Sequence, residues 1–175
     1  MRELTDAGRL RRFMRALGEA ADRDTRVYFT GGATAVLLGW RAATIDADVV
    51  FVPESDSLFR AIPALKDELR INVEVASPAH FIPELVGWQT RSPFIAREGR
   101  VSFHHYDLYA QALAKVERGH RQDLDDVREM LSRGLVEPDR LRGYYEQIEA
   151  QLHRYPGINP ASFRRALEDA LARPL

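Results

Sequence analysis

The segment from Val27 to Val52 constrains the fold of this chain more than any other stretch. A short apolar strand ends at the pair Gly31-Gly32, and the small apolar residues after it predict a buried helix over residues 33–38. A loop then leads to a second predicted strand, from Asp46 to Val52, which Pro53 ends. This order of elements predicts a sheet with a helix packed against it.

The rest of the chain predicts further strands and then only helices. An amphipathic helix is expected near residues 5–22 and a partly helical segment over 57–69, where Pro63 marks a kink or a new start. Further strands are expected at 71–75 and in a hairpin of 94–96 with 101–103, and further helices at 107–119, 122–133, 138–152 and 161–172. We therefore predict an α+β fold: a small mixed sheet with flanking helices over residues 1–105, and a C-terminal helical bundle over 106–175 packed on it as one compact unit.

Composition narrows the class of protein. The chain has 175 residues, of which 45% are hydrophobic and 29% charged, as expected of one ordinary domain. It shows neither a membrane-spanning stretch nor an apolar signal core, so we predict a cytoplasmic protein without membrane partners. The absence of cysteine excludes disulfides and thiolate chemistry, so any metal must be bound by oxygen or imidazole.

Two aspartates one residue apart are the first candidate site residues. On a strand, Asp46 and Asp48 point to the same face, where their negative charges repel each other unless a cation lies between them. Glu74, between two valines on the next predicted strand, is a candidate third ligand, although it could equally face solvent. Hard oxygen ligands favour Mg²⁺ or Mn²⁺. The alternative is that both aspartates are solvated strand acids without a ligand.

The glycine pair is the second candidate feature. Gly31-Gly32 leads into a helix N-terminus, where backbone amides and the helix dipole attract phosphate, although a glycine pair alone is usually only a turn. Arg41 and Thr44 follow in the loop before the acids, and Arg41 could contact phosphate or hold the strand of Asp46 and Asp48.

The third candidate feature is a lysine near the start of the helical half of the chain. Only two of the 25 basic residues are lysines, and Lys115 lies among small apolar residues of a predicted helix. A compact ammonium there suits a triphosphate contact, and the alternative is an ordinary surface lysine.

The Gly-Gly turn followed by Asp-x-Asp resembles the DNA polymerase β-like nucleotidyltransferase superfamily. The local form, with Arg41 and Thr44 before the acids, is similar to the bacterial AbiEii-like branch. It is also similar to uncharacterised nucleotidyltransferase-like proteins through Asn72-Val-Glu-Val-Ala-Ser-Pro, Phe81-Ile-Pro and the Lys115 segment. The resemblance covers residues 25–165. It implies that the acids bind metal, that Lys115 contacts the nucleotide, and that Asp123 orients Lys115.

Two positions depart from the pattern of that superfamily. Gly32 stands where many members have a serine, so a hydroxyl contact to phosphate is missing, and Thr30 or Thr34 could replace it. Glu74 stands where aspartate is commoner, which leaves it as a metal ligand, a general base, or a group that only supports the other acids.

The resemblance implies a magnesium-dependent enzyme that moves a nucleoside monophosphate from a triphosphate to an acceptor hydroxyl. The acceptor would be an RNA end, such as that of tRNA, or a protein, and the AbiEii-like branch implies a toxin that works beside an antitoxin protein. The alternative function, from a different functional class, is that of a catalytically inactive nucleotidyltransferase-like module that binds a partner protein or a nucleotide. Adenylylation of a small molecule would use the same site.

Overall fold

The protein forms two compact units in the computed structural model, which describes residues 3–173. The first unit ends at Ser77 and resumes over Ser92–Tyr106, and the second joins Pro78–Arg91 to the chain from Asp107 onward. The chain passes from one unit to the other after Ser77, after Arg91 and after Tyr106, so residues 78–91 group with the helical unit.

The first unit contains a five-stranded mixed sheet. The strands of the unit are β1 (Thr5–Asp6), β2 (Thr25–Thr30), β3 (Ala43–Thr44), β4 (Asp46–Val52), β5 (Asn72–Val75), β6 (Phe94–Glu98) and β7 (Val101–His105), and its helices are α1 (Ala7–Ala20), α2 (Gly32–Leu38) and α3 (Asp56–Leu69). Strands β1 and β3 form a separate two-stranded sheet, and the other five form the mixed sheet. The order across the sheet is β5-β4-β2-β7-β6, with β4–β5 and β2–β7 parallel and β2–β4 and β6–β7 antiparallel. The predicted α+β class with a small mixed sheet is confirmed.

One face of this sheet forms the core of the unit. Along β4 the side chains alternate between buried and partly exposed, and Ala47, Val49 and Phe51 point into the core. Helix α1 contributes the apolar stripe of Leu10, Phe13, Met14 and Leu17 to the same core. Because strand side chains alternate, Asp46 and Asp48 lie on the opposite face.

The chain before α1 corrects the predicted helix start. Thr5 and Asp6 are not helical but form β1, which pairs antiparallel with β3, so part of the predicted loop before the acids is also a strand. The Asp6 side chain accepts a hydrogen bond from the backbone N–H of Arg9 and caps the helix, which therefore begins at Ala7. The small β1–β3 sheet ties Thr44 to Thr5.

The second unit is helical, as predicted. It contains α4 (Trp88–Arg91), α5 (Leu108–Arg118), α6 (Arg121–Ser132), α7 (Pro138–Glu149) and α8 (Pro160–Ala172), with 3-10 turns at Pro78–His80 and Leu152–Arg154. Asn159 caps α8 by accepting from the N–H of Ser162, and Pro160 occupies its first turn. Between residues 3 and 173, no helix is long and apolar enough to cross a membrane.

Candidate active site

The twin aspartates lie on the face of the sheet that is turned away from the core. Asp46 and Asp48 are both partly exposed on β4, while Ala47 between them is fully buried. The parallel partner β5 sets Asn72 opposite Asp46 and Glu74 opposite Asp48. Partners in register share a face, so three carboxylates and one amide lie on one side of two neighbouring strands.

The glycine turn adjoins the second aspartate. The antiparallel pairing of β2 with β4 sets Thr30 opposite Asp48, so the turn that follows Thr30 begins beside that carboxylate. Gly31 has φ 64°, a backbone conformation that favours glycine, and a Cβ there would lie 2.9 Å from Asp48 Oδ2. The backbone therefore approaches the carboxylate closely only because residue 31 has no side chain.

The second glycine adjoins the loop that carries Arg41 and Thr44. A Cβ on Gly32 would lie 2.7 Å from Thr44 Cβ, closer still to Thr44 Oγ1, and 3.1 Å from Arg41 Nη1. The Thr44 hydroxyl donates to the backbone oxygen of Asp46 at 3.1 Å, which links this loop to the start of β4. The absence of serine at position 32 thus has a steric reason, because Thr44 fills the space that a side chain would need.

The Thr34 hydroxyl, considered from the sequence as a substitute for the missing serine, is directed into the protein. It donates to the Phe29 backbone oxygen at 3.3 Å and lies 3.1 Å from His105 Nδ1. Burial lowers the pKa of His105 to about 4, with a smaller contribution from the charge of His104, so His105 is neutral at pH 7. These contacts connect α2 to the sheet.

Asn72 is the group at this site that sequence reasoning did not select. Its Nδ2 donates to Asp46 Oδ1 in a short hydrogen bond and lies 3.4 Å from Glu74 Oε1. Strand alternation already places Asn72 on the same face as Glu74, two residues later, but only the parallel register of β4 and β5 sets it opposite Asp46. Strand pairing is a long-range property that a single sequence does not display.

The acids of the first unit fit a divalent cation only in part. Their donor set consists of oxygen atoms, which suits Mg²⁺ or Mn²⁺, and Asp46 and Asp48 lie two residues apart on one face. Within the described part of the chain, however, no three His, Cys, Asp or Glu side chains are grouped so as to hold a metal ion. Two carboxylates therefore fit such an ion, and Glu74 would have to move to become a third ligand.

Lys115 lies in the second unit, within a buried ion cluster. It is 5% exposed, and its Nζ lies 2.7 Å from Asp126 Oδ2 and 3.5 Å from Asp123 Oδ1. Arg118 donates from Nε and Nη2 to both oxygens of Asp123, at 2.8 and 2.6 Å. Two cations and two carboxylates thus balance their charges between α5 and α6.

The electrostatics of Asp123 follow from these contacts. Burial opposes its ionisation, but the hydrogen bonds from Arg118 and the charges of Lys115 and Arg118 outweigh that effect, so the pKa of Asp123 lies below its ordinary value. The ionised carboxylate then holds Lys115 and Arg118 together. Contact of Lys115 with a nucleotide stays a prediction, as does a role for Asp123 in orienting it towards one.

The sequence-predicted residues thus fall into two groups. The first unit brings together Gly31, Gly32, Arg41, Thr44, Asp46, Asp48 and Glu74 around the end of β2 and the start of β4. The second unit brings together Lys115 and Asp123.

Comparison with known proteins identifies the family of the chain. No curated protein and no solved structure matches the chain significantly. A family model described as "nucleotidyltransferase of unknown function (DUF6036)" matches residues 8–165, which is most of the chain. The chain therefore belongs to this family of nucleotidyltransferases of unknown function.

Proposed function

We propose that this protein is a magnesium-dependent nucleotidyltransferase that moves a nucleoside monophosphate from a triphosphate to an acceptor hydroxyl. The observation that carries the proposal is the closeness of the glycine turn to the acids. A Cβ on Gly31 would lie 2.9 Å from Asp48 Oδ2, so a phosphate at the turn would also lie near the carboxylates. Transfer of a phosphoryl group depends mainly on such positioning and on charge stabilisation.

The residues around the turn would bind the triphosphate. Gly31 and Gly32 form the turn that leads into α2, and the backbone amides there can donate to phosphate oxygens. Arg41 Nη1 lies near Gly32, where a guanidinium can form two parallel hydrogen bonds to a phosphate. The Thr44 hydroxyl lies on the same side of Gly32, and to donate to that phosphate it would have to give up its hydrogen bond to the Asp46 backbone oxygen.

Asp46 and Asp48 would hold Mg²⁺ or Mn²⁺ beside the phosphates. A divalent ion there would offset the charge that develops on the transferred phosphoryl group. The acceptor hydroxyl would attack the α-phosphate in line; the new O–P bond forms as the bond to pyrophosphate breaks. Glu74, which is exposed, is proposed either as a further metal ligand or as the base that takes the proton of the hydroxyl.

The acceptor proposed here is an RNA end such as that of tRNA, with a protein hydroxyl as the alternative. The net charge of −1 requires any RNA contact to rely on local arginines, and Arg121 and Arg165 are exposed on the helical unit. The resemblance to the AbiEii-like branch extends the proposal to a toxin whose partner is an antitoxin protein.

Labelled nucleotides test the reaction. The purified protein is incubated with each α-³²P-labelled triphosphate and Mg²⁺, with total tRNA or with protein acceptors, and the label in the polymer is measured. Transfer should fall at least about 100-fold in Asp46→Asn and in Asp48→Asn, because metal binding contributes several kcal/mol to such reactions. Asp67→Asn, an exposed acid on α3, is the matched control and should retain activity.

Two results would refute the catalytic proposal. One is the absence of label transfer with every triphosphate and acceptor. The other is transfer that persists unchanged in both aspartate variants, because the activity would then come from a contaminant or from another site. A panel of small-molecule acceptors, such as aminoglycosides, distinguishes adenylylation of a small molecule from transfer to a polymer.

A second candidate function is an inactive module that binds a nucleotide or a partner protein. The observation that favours it is that no three acidic or histidine side chains among residues 3–173 are grouped as metal ligands. Calorimetry separates the two functions. An enzyme should bind a non-hydrolysable triphosphate in a Mg²⁺-dependent way that Asp46→Asn abolishes, whereas an inactive module should bind nucleotide without Mg²⁺ dependence or not at all.

A further inference from the structure

An open groove of about 440 Å³ lies along α6 in the second unit, beside the end of α8. It is lined by Gly119, Arg121, Leu124, Asp125, Arg128 and Arg173. The four lining residues of α6 share one face of that helix, because the later three follow the first at intervals of three, four and seven residues. The sixth directly follows α8, which packs against α6. We call this feature the α6 groove.

Positive charge exceeds negative charge in the α6 groove. Its lining includes three arginines and one carboxylate, that of Asp125. Arg128 Nη1 lies 3.8 Å from Asp125 Oδ1, and both side chains are about half exposed, so this ion pair contributes little. Arg121 and Arg173 are exposed, and neither forms a hydrogen bond or an ion pair within residues 3–173. Their guanidinium groups are therefore available to a ligand.

Several other arginines of the second unit are instead held by acids. Arg91 pairs with Asp107, Arg118 with Asp123, Arg133 with Glu129, Arg142 with Glu168 and Arg164 with Glu149. Their charges are balanced within the protein, whereas the α6 groove keeps an excess of positive charge. Charge complementarity therefore indicates an anionic ligand for the α6 groove.

The spacing of the groove arginines suits an anion with repeated charges. Arg121 and Arg128 lie seven residues apart on α6, so their Cα atoms are separated by about 10 Å along the helix axis. A guanidinium binds phosphate through two parallel N–H groups. Successive phosphates of one strand can therefore engage both of these arginines and Arg173 together. Leu124 lies between the two on the same face and is partly exposed, so it offers an apolar contact to a ribose or a base.

We propose that the α6 groove binds the sugar-phosphate backbone of a single-stranded RNA that carries the acceptor hydroxyl. This inference rests on the proposed function and assigns the acceptor strand to one surface of the second unit. The three arginines attract the strand, and Asp125 weakens this attraction because its carboxylate repels phosphate. Since the charged contacts go to the backbone, binding should depend strongly on salt and little on base sequence.

Fluorescence anisotropy measures RNA binding without any catalytic step. The probe is a fluorescein-labelled single-stranded RNA of about 12 nucleotides, which is within the length that such surfaces cover, and no triphosphate is added. The association constant is measured from about 50 to 200 mM salt. Three phosphate contacts predict a slope of about −2 for the logarithm of this constant against the logarithm of salt concentration, since each contact on a single strand contributes about −0.7.

Removal of one groove arginine should change both the affinity and the slope. Arg121→Gln and Arg173→Gln should each weaken binding about fivefold at 0.1 M salt and make the slope shallower by about 0.7. Arg133→Gln, at an exposed position after the C-terminal end of α6 and outside the α6 groove, is the matched control. It removes the same charge and should keep the wild-type slope.

Asp125→Asn provides a test that does not depend on a loss of binding. It removes the single acid of the α6 groove and should tighten RNA binding about two- to fivefold, a gain that a damaged fold does not produce. A polyglutamate of similar length should displace the RNA poorly, because it has no ribose or base to contact Leu124.

The outcomes separate this inference from the proposed function. Absence of RNA binding by the wild type, an unchanged slope in Arg121→Gln and Arg173→Gln, or an equal loss in Arg133→Gln would overturn the assignment of the α6 groove. Polyglutamate that binds as tightly as the RNA would also overturn it, in favour of an acidic protein partner. RNA binding with the expected slope but without any label transfer would refute the proposed enzyme instead. Label transfer to RNA with unaltered binding in the groove variants would refute only the groove.

Discussion

Gly32→Ala should destabilise the protein through a single steric conflict. The new Cβ would lie 2.7 Å from Thr44 Cβ, and closer to Thr44 Oγ1, where ordinary contacts begin at 3.4 Å. Thr44 is 9% exposed and its hydroxyl is bonded to the Asp46 backbone, so it cannot move away without loss of that bond. Overpacking of this kind costs about 1–3 kcal/mol in the free energy of unfolding. For a chain of this size, that corresponds to a decrease of about 2–9 °C in Tm.

A double-mutant cycle measured by urea unfolding tests this explanation. In a Thr44→Ala background the hydroxyl is gone but the Cβ of residue 44, 2.7 Å from the new Cβ, remains, so Gly32→Ala should cost less than in the wild type without becoming neutral. Gly143→Ala, in a helix where an added Cβ meets nothing within 4 Å, is the matched control and should not destabilise. A loss below about 0.5 kcal/mol in Gly32→Ala, or additive effects in the cycle, would refute the reasoning.

Two further predictions concern buried ionisable groups, and both are measured by urea unfolding. Lys115→Met should lower the free energy of unfolding by about 3–5 kcal/mol, because it removes the 2.7 Å ion pair of Asp126, which is 2% exposed. Lys115→Met/Asp126→Asn should recover part of this loss, and a small effect of the single variant would contradict a buried pair. Because burial lowers the pKa of His105 from 6.5 to about 4, only the unfolded chain takes up a proton between these values. Stability should therefore fall by roughly 3 kcal/mol from pH 6.5 to pH 4, and His105→Asn should flatten this part of the profile.

The predictions from sequence were most accurate where local patterns decide structure. Alternation along β4 was enough to assign Asp46 and Asp48 to one face, and the helix of the N-terminal region followed from its apolar stripe. The predicted start of that helix was two residues too early, because Thr5 and Asp6 pair with a strand that is distant in sequence. Pairing between distant segments overrides local periodicity.

The surroundings of the site residues could not be predicted in the same way. Lys115 among small apolar residues suggested a lysine available for a ligand, yet the structure buries it and pairs it most closely with Asp126, in addition to Asp123, the partner that the resemblance implied. The absence of serine at position 32 suggested a lost contact, whereas the structure shows Thr44 in the space beside that position. In both cases the deciding neighbour lies eight or more residues away along the chain.

By itself, the sequence determined the strand-turn-helix order, the two aspartates on one face of a strand, and, through the absence of cysteine, a donor set limited to oxygen and imidazole. These properties follow from the two-residue period of a strand, from the backbone freedom of glycine and from composition. Only the tertiary structure decided that Asn72 bridges Asp46 and Glu74, because that contact depends on the register of two parallel strands. Register is set by how whole strands bury their apolar faces, so it belongs to the folded sheet rather than to any short segment.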